Sequence, residues 1–389
     1  MSSSPLTTGL FGAQNIYDAY FTKSPLQRLS MIRTSNELLD KAHKHPSAKY
    51  LCMQDLNPLR QTGSALRFVD YAAIQSIVGE PFAKSEKDTI STFDSKSRRP
   101  ALVFLGFDLE TSHQATQSTE PMSVDLDKTY NGVPYFALDV TNQDTSEILS
   151  SASEASFAPT RVDLTLSYPQ SSIYAQARSY LDWHAHSRFC SSCGSPTLAI
   201  HGGTKIICPP SDAASSTPRK NCPARVGMHN TAFARTDPTL ITAPVSADQK
   251  RVLLGRGKRW PENYWSCISG FIEPAESMET ATRREVWEES GVRVGDVVIH
   301  SSQAWPYPST MLVGTVGLCE KEADEKVSYP EKELGEARWF ELDEVEKALD
   351  KGHAMWEPVP EGWTGIRLPP DKLMAHRTLR GVLKLFKRR

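Results

Sequence analysis

Nothing in the 389-residue sequence is extreme in charge: 44 Lys and Arg against 46 Asp and Glu leave a formal net charge of −2. That near-balance excludes a strong general attraction to nucleic acid or to acidic membranes. No run of about eighteen apolar residues occurs, so no transmembrane helix is expected and no membrane partner. The opening MSSSPLTTGLFGAQ lacks the basic stretch and apolar core of a secretory leader. The closing LKLFKRR is not a Ser-Lys-Leu type peroxisomal address; the cytoplasm is the expectation, with the peroxisome as the alternative. No tandem repeat is found. Cysteine is sparse as well: there are seven, of which Cys52, Cys267 and Cys319 are scattered, while Cys190, Cys193, Cys208 and Cys222 share one short window. Secreted disulfide frameworks are denser and paired throughout, so a reducing compartment and a single metal site are the expectation.

What is present is an ordinary globular composition, 39% hydrophobic and 23% charged, in a chain long enough for two or three domains. Segment 36–45, NELLDKAHKH, reads as a short helix. Runs rich in Val, Phe, Leu and Tyr at 49–53, 101–108 and 133–140 read as strands. SEKDTISTFDSKSRR and LETSHQATQSTEPMS between them read as exposed loops or insertions, and DTSEILSSASEASF as helical or irregular. Residues 171–187 have helical spacing. Beyond the cysteines, TLITAPVS, RVLLGRG, GDVVIHSSQAW and MLVGTVGLCE are strand-like, and 342–350 and 371–388 read as helices. This predicts three segments: an α/β domain over 1–170, a linker helix and metal-binding segment over 171–230, and a second α/β domain over 231–389.

The cysteine spacing begins as a metal knuckle. Two residues between Cys190 and Cys193 let both thiolates face one tetrahedral ion, and Gly194 supplies the tight turn. Zinc suits four thiolates. Thirteen residues, the Ser-Ala-Pro stretch PPSDAASSTPRKN, separate Cys208 from Cys222 and read as a flexible insertion; His201 is an alternative ligand. A closed four-cysteine site is structural, since a catalytic zinc keeps an open position. Free buried cysteines are the bland alternative.

Segment 270–292, GFIEPAESMETATRREVWEESGV, carries the chemistry. Pro274 near a helix start, Glu276 and Glu279 at its positive end and Gly291 as a stop predict a helix from about 275 to 290. Glu285, Glu288 and Glu289, spaced i, i+3 and i+4, then share one face. Three carboxylates that close repel unless a cation sits among them, and hard oxygen ligands suit Mg²⁺ or Mn²⁺. A solvated acidic helix, with Arg284 and Glu288 as an ordinary i, i+4 pair, is the alternative. The whole pattern decides between them: Gly270, five residues, Glu276, seven residues, Arg284-Glu285, Val286, one residue, Glu288-Glu289, one residue, Gly291-Val292.

That pattern resembles the Nudix box at every defined position. Three further stretches resemble the NADH pyrophosphatase (NAD-capped RNA hydrolase-like) group of that superfamily. SYLDWHAHSRFCSSCG is similar to the group's approach to its zinc ribbon, and VGMHNTAFARTDP to the segment after it. SSQAWPYPSTM is similar to the downstream signature SQPWPFPxS, with Ala304 in place of the first proline and Tyr307 in place of the phenylalanine. The resemblance implies a Nudix α/β/α sandwich preceded by a zinc ribbon and a degenerate Nudix-like α/β domain, the last matched more weakly through LVFLGFDLE and VPYFALDV. It implies Glu285 and Glu289 as main metal ligands with Glu288 assisting, the Ser269 carbonyl as a further ligand, and Glu333 as an additional acidic ligand with Glu336 as its competitor. It implies Phe233, Gly270, Phe271, Gln303, Trp305, Tyr307, Ser309 and Ala375 as substrate contacts, with Zn²⁺ structural, Mg²⁺ or Mn²⁺ catalytic, and a homodimer.

These parts suit one task. A diphosphate is negatively charged and resists attack by water, so bridging metals neutralise it and acidify bound water, and a helix glutamate takes the proton. Trp305, Tyr307 and Phe233 offer planar surfaces for bases, worth about 1–3 kcal/mol per stacked base, although core packing is the plain alternative for Trp305 and Tyr307. The expectation is hydrolysis of NADH (and NAD) to NMNH (NMN) and AMP. The alternatives are removal of NAD caps from RNA, a broader ADP-ribose or dinucleotide pyrophosphatase, and a zinc-ribbon binding module without catalysis.

Overall fold

A computed structural model describes residues 19–61, 65–109, 120–126, 128–157, 162–219, 221–226, 231–329, 333–351, 354–359 and 361–387. It divides into two compact units. The first is Lys23–Arg235 together with Pro306–Ser309; the second is Met1–Thr22, Thr236–Trp305 and Thr310–Arg389.

In the first unit, strands β1 (Leu26–Gln27), β2 (Lys49–Gln54), β3 (Asn57–Gln61), β4 (Leu102–Asp108), β5 (Met122–Asp125), β6 (Thr129–Asp139) and β7 (Ala155–Phe157) form one sheet in the order β1-β4-β6-β2-β3-β7, with β5 also on β6. β2 and β6 run parallel, and β4 flanks β6 antiparallel. All three strands read from the Val, Phe, Leu and Tyr runs are present, because their inward residues Tyr50, Phe104, Phe136 and Leu138 bury against Leu39 and Ala42. The latter pair lies on helix α1 (Asn36–Lys44), which Ser35 caps by accepting the Leu38 N–H.

Helices α2 (Gln75–Val78) and α3 (Glu86–Ser91) follow β3. The stretch 85–99 was expected as a loop but holds α3 and a 3₁₀ turn at Ser95–Ser97. Ser85 caps α3, an N-terminal signal that a reading by polarity alone passes over. The stretch after β6 folds as α4 (Ser146–Ser151), and α5 (Tyr168–His186) opens with Ser167 as N-cap and proline in its first turn. The ribbon hairpin, β8 (Leu198–Ile200) and β9 (Lys205–Ile207), groups with this unit.

The second unit holds β10 (Asp237–Val245), β11 (Arg251–Gly257), β12 (Ile268–Phe271), β13 (Val297–Trp305), β14 (Thr310–Leu318) and β15 (Leu334–Glu341), in the order β13-β14-β10-β11-β15 with β12 also on β10. The parallel pairing of β10 with β14 repeats the mixed pattern of the first sheet. Alternation along β11 divides the core. Val252 and Leu254 face a cluster with Leu349 of α7 (Leu342–Asp350) and with Leu379 and Val382 of α8 (Met374–Phe386). Leu253 faces the opposite way, into a cluster with Ile268, Ala337 and Val286 of α6 (Met278–Ser290). Helices thus cover both faces, which is the expected Nudix α/β/α sandwich. Burying Val286 completely contributes about 1.5–3 kcal/mol towards holding α6 on the sheet.

Two helix starts differ from the sequence expectation. α6 begins at Met278, since Ala275 takes the left-handed conformation (φ 69°) and Ser277 caps the helix through the Thr280 N–H. α8 begins at Met374, because Leu373 before it is extended. Gly291, left-handed at φ 73°, ends α6 as expected. Among the described residues no helix is long and apolar enough to cross a membrane.

Candidate functional site

The glutamate-bearing face of α6 meets the end of β12. Glu285 and Glu289 are 8% and 5% exposed, while Trp287 on the outer face is 45% exposed. The i, i+4 pair therefore points inward, and Glu288 sits at the rim with its side chain 26% exposed. Gly270 on β12 lies directly against Glu285: a Cβ there would fall inside contact distance of the whole carboxylate. β12 is held in register by β10, with Leu240 opposite Gly270 and Ile241 opposite Ser269.

Arg284 organises the carboxylates. Its Nε and Nη2 donate to the two oxygens of Glu276 at 2.7 and 2.8 Å. Its Nη1 donates to both Glu285 Oε1 and Glu288 Oε2 at 2.8 Å, and Nη2 also reaches the Phe271 carbonyl at 2.8 Å. The Glu276 carboxylate accepts the Glu273 N–H at 2.9 Å, which closes the loop leading to the helix. The Arg284–Glu288 pair of the bland alternative thus exists, but as one arm of a four-way clamp that ties helix to strand. Burial pushes the Glu285 carboxyl above its ordinary value; Arg284 opposes that, and Glu288 and Glu276 add to it. A buried carboxylate disfavoured in its charged form next to others is a donor set that a divalent cation satisfies. Glu333, next to β15, is exposed, and Glu336 within β15 pairs with Arg256 at 3.2 Å.

Gln303 and Trp305 close β13 in the same unit. The buried Gln303 amide donates to the Lys372 carbonyl at 2.7 Å and the Tyr20 carbonyl at 3.0 Å. The Trp305 ring meets Phe21 edge-on, with centroids 5.8 Å apart. Ala375 is buried at the start of α8 and its carbonyl accepts from the Cys267 thiol. Phe233, Tyr307 and Ser309 fall in the first unit. Phe233 is 54% exposed, with Lys205 5.7 Å from its ring centroid.

The four cysteines converge: their sulfur atoms all lie within 4.8 Å of one another. Cys190 to Cys222 is 3.7 Å and Cys193 to Cys208 is 3.6 Å. Zinc–sulfur bonds of about 2.3 Å in a tetrahedron require S···S edges of about 3.8 Å, so the cluster fits zinc with little adjustment. His201, the alternative ligand, instead pairs with Glu86 at 3.3 Å. The stretch between Cys208 and Cys222 was expected to be flexible, and the structure corrects this. Arg219 and Asp212 form an ion pair at 2.7 Å, each side chain 5% exposed, and Asp212 accepts the Ser95 N–H at 2.9 Å. Arg219 also lies over the Phe93 ring. This pin brings Cys222 back to the knuckle despite the long spacing.

Sequence reasoning passed over two contributors to the end of β13 that carries Gln303 and Trp305. Residues 20–22 sit against the end of β13 through Tyr20, Phe21 and Thr22, whose hydroxyl accepts the Ala304 N–H at 3.1 Å. Lys372 holds Gln303 through its carbonyl. Neither carries a local signal: Thr22 meets Ala304 across 282 residues of sequence, and Lys372 acts through a backbone carbonyl, which has no sequence signature.

Comparison with known proteins agrees with this geometry. Residues 238–361 match the model of the NUDIX domain, and residues 185–215 match that of the NADH pyrophosphatase zinc ribbon domain. The second match stops short of Cys222, which the geometry places in the cluster. The chain is 33% identical to the NAD-capped RNA hydrolase of Schizosaccharomyces pombe over 92% of its own length and 91% of that protein. It is 30% identical to the NAD-capped RNA hydrolase NPY1 of Saccharomyces cerevisiae, covering 95% and 96% respectively. It is also 30% identical to the NAD-capped RNA hydrolase NUDT12 of Homo sapiens, over 94% of this chain and 73% of the human protein.

Proposed function

Because this chain belongs to the NADH pyrophosphatase and NAD-capped RNA hydrolase group of the Nudix hydrolases, we propose that it hydrolyses the diphosphate of NADH and NAD, giving AMP and NMNH or NMN. The observation that carries this reading is the inward pair Glu285 and Glu289, packed against Gly270 in a chain that also holds the ribbon. Glu285, Glu289, the Ser269 carbonyl and Glu333 would hold Mg²⁺ or Mn²⁺, which supplies charge neutralisation at the phosphate oxygens and acidification of water. The Arg256 pairing of Glu336 supports Glu333 as the acidic ligand of the two.

The chain's own residues do the rest. Arg284 fixes the rotamers of Glu276, Glu285 and Glu288, so the carboxylates are set before substrate arrives. Glu288, the least buried of the three, takes the proton of the attacking water. Water attacks the AMP phosphorus. Trp305 stacks on a base while Gly270 and Phe271 border the phosphates, with Gln303 and Ala375 in the same unit as candidate substrate contacts; Phe233, Tyr307 and Ser309 of the other unit are candidate contacts in their own right. The ribbon's zinc is structural, with all four positions filled by sulfur. We place the protein as a homodimer in the cytoplasm; the free thiols Cys52, Cys267 and Cys319 support a reducing compartment.

The same cut frees an RNA 5′ end from an NAD cap, and the names of all three relatives support that second substrate. Incubation with NADH or with an NAD-capped oligonucleotide in Mg²⁺ or Mn²⁺, followed by chromatography, tests both. AMP and NMNH from NADH support the reading, and intact NADH at high enzyme concentration overturns it.

A further inference from the structure

The connection from β11 to β12, within the second unit, carries two cations and an aromatic ring that the proposed cut of NADH does not use. It opens with Lys258-Arg259-Trp260-Pro261, and all four residues are exposed. Charge alone describes an ordinary solvated loop. The tryptophan is different. Its large ring stays 41% exposed and rests against Gly257, where a Cβ would meet indole atoms at 3.4 and 3.5 Å.

The loop is braced at both ends. The Trp260 N–H donates to the Gly257 carbonyl at 3.0 Å, and Arg256 Nη1 donates to the Trp260 carbonyl at 3.2 Å. Arg256 also pairs with Glu336, so its charge is matched within the fold. At the other end the Arg367 N–H donates to the Asn263 carbonyl at 2.7 Å and the Trp265 N–H to the Arg367 carbonyl at 3.0 Å. The buried Arg367 guanidinium donates to the Tyr264 hydroxyl at 2.8 Å. A ring held in place in this way costs a ligand little ordering on binding.

The loop also borders the carboxylates. The Lys258 Cα lies 3.0 Å from where a Cβ of Gly335 would be, and Gly335 is two residues from Glu333. Two residues span about 7 Å of extended chain. β12, which the loop enters, carries Ser269 and Gly270.

In an NAD-capped RNA the chain leaves from the adenosine ribose, beside the diphosphate. The first nucleotide past the cap therefore brings a phosphate and a base close to the metal ligands. With a net charge of −2 the protein has no general attraction for RNA, so cations must be supplied locally. We infer that Lys258, Arg259 and Trp260 form a subsite for the single-stranded RNA that follows an NAD cap. The two cations, set against the one carboxylate of Glu262, meet its phosphates, and the indole stacks on a base. Free NADH and NAD end at the adenosine and leave the subsite empty. This rests on the reading above that NAD-capped RNA is a second substrate.

The test is steady-state kinetics of the full chain in Mg²⁺, on free NAD and on a short NAD-capped single-stranded oligonucleotide. Trp260→Ala and the double variant Lys258→Ser with Arg259→Ser are each expected to lower kcat/KM for the capped oligonucleotide about tenfold, with kcat/KM for NAD within about twofold of wild type. Added NaCl should weaken wild-type action on the capped oligonucleotide more steeply than on NAD, and the double variant should narrow that difference. Should Trp260→Ala fail to fold, the double variant decides alone. Equal losses on both substrates, or wild-type kcat/KM on both, overturn the subsite. A wild type that leaves the capped oligonucleotide intact, whether or not it cuts NAD, overturns the reading of capped RNA as a substrate, and the subsite with it.

Discussion

Gly270 and Glu285 occupy one another's space: the glycine has no side chain because the glutamate's carboxylate lies where a Cβ would be. The conflict would fall on the far end of a flexible side chain, which can swing away at little cost to the fold. Gly270→Ala is therefore predicted to keep a melting temperature within a few degrees of wild type while turnover falls about 10²-fold, since displacing a reacting group by about 1 Å has that effect. Gly291 is the contrasting case. Its φ of 73° penalises any side chain, and a Cβ would crowd Ser328, so Gly291→Ala should cost about 1 kcal/mol or more of stability. Thermal melts and kcat for the two variants check the split, and a loss of stability in Gly270→Ala equal to that in Gly291→Ala would argue against it.

Glu285→Gln and Glu289→Gln are each predicted to cut turnover by about 10²-fold or more at saturating Mg²⁺, without unfolding the protein. Glu285 is held above its ordinary carboxyl range by burial, so its charge is a cost to the metal-free fold and the neutral amide removes that cost. Circular dichroism and kcat measured together decide this. Near-normal turnover in either variant assigns that residue a different role.

The four sulfurs predict one tightly held zinc per chain that the chemistry does not use. Cys193→Ser should lower the melting temperature by roughly 10 °C, because zinc binding here is folding energy, while kcat below the transition stays near wild type. Protein purified without chelator and free of zinc by elemental analysis would contradict this.

Two histidines give a pH signature. His43, fully buried on α1 beside Tyr50 and Tyr71, is lowered from 6.5 to about 4 chiefly by burial, with Asp40 and Glu80 opposing that shift and Lys44 adding to it. His300, on β13, is lowered to about 4 by burial and by Arg377 and Lys384. Folded, both rings stay neutral down to about pH 4; unfolded, they take up a proton near 6.5. The unfolded chain then binds more protons between those values, so stability is lost as pH falls through that window, by up to about 3 kcal/mol per ring. Urea midpoints at pH 7.5 and pH 5 measure it, and equal midpoints would refute it.

The glutamate-bearing helix α6 was legible because its pattern is local. Carboxylates that share a cation must recur at i, i+3 and i+4, and the glycines at both ends answer to backbone and packing demands within a few residues. The strands were legible where aromatic and β-branched runs bury a face, as at 101–108. The start of α6 was misplaced, since Ala275 gives no sign of its left-handed backbone, although Ser277 with Thr280 three residues on was a readable cap. The closure of the ribbon on Cys222 depends on the Arg219–Asp212 pair seated at Ser95, more than a hundred residues away in sequence. The Tyr307 hydroxyl accepts the Asp163 N–H across 144 residues, and no window on the sequence contains both.

The proposed substrate is a molecule with a base at each end of a diphosphate. Trp305 and Phe233 are each proposed as a stacking ring for a base, and ADP-ribose has only one base to stack. A loss of about 1.4 kcal/mol at the empty end is enough for a tenfold difference. The direct measurement is kcat/KM for NADH, NAD and ADP-ribose, side by side, in wild type and in Trp305→Ala. The account predicts NADH at least about tenfold above ADP-ribose in wild type, with the gap collapsing in the variant. Equal specificity constants for NADH and ADP-ribose in wild type would contradict it.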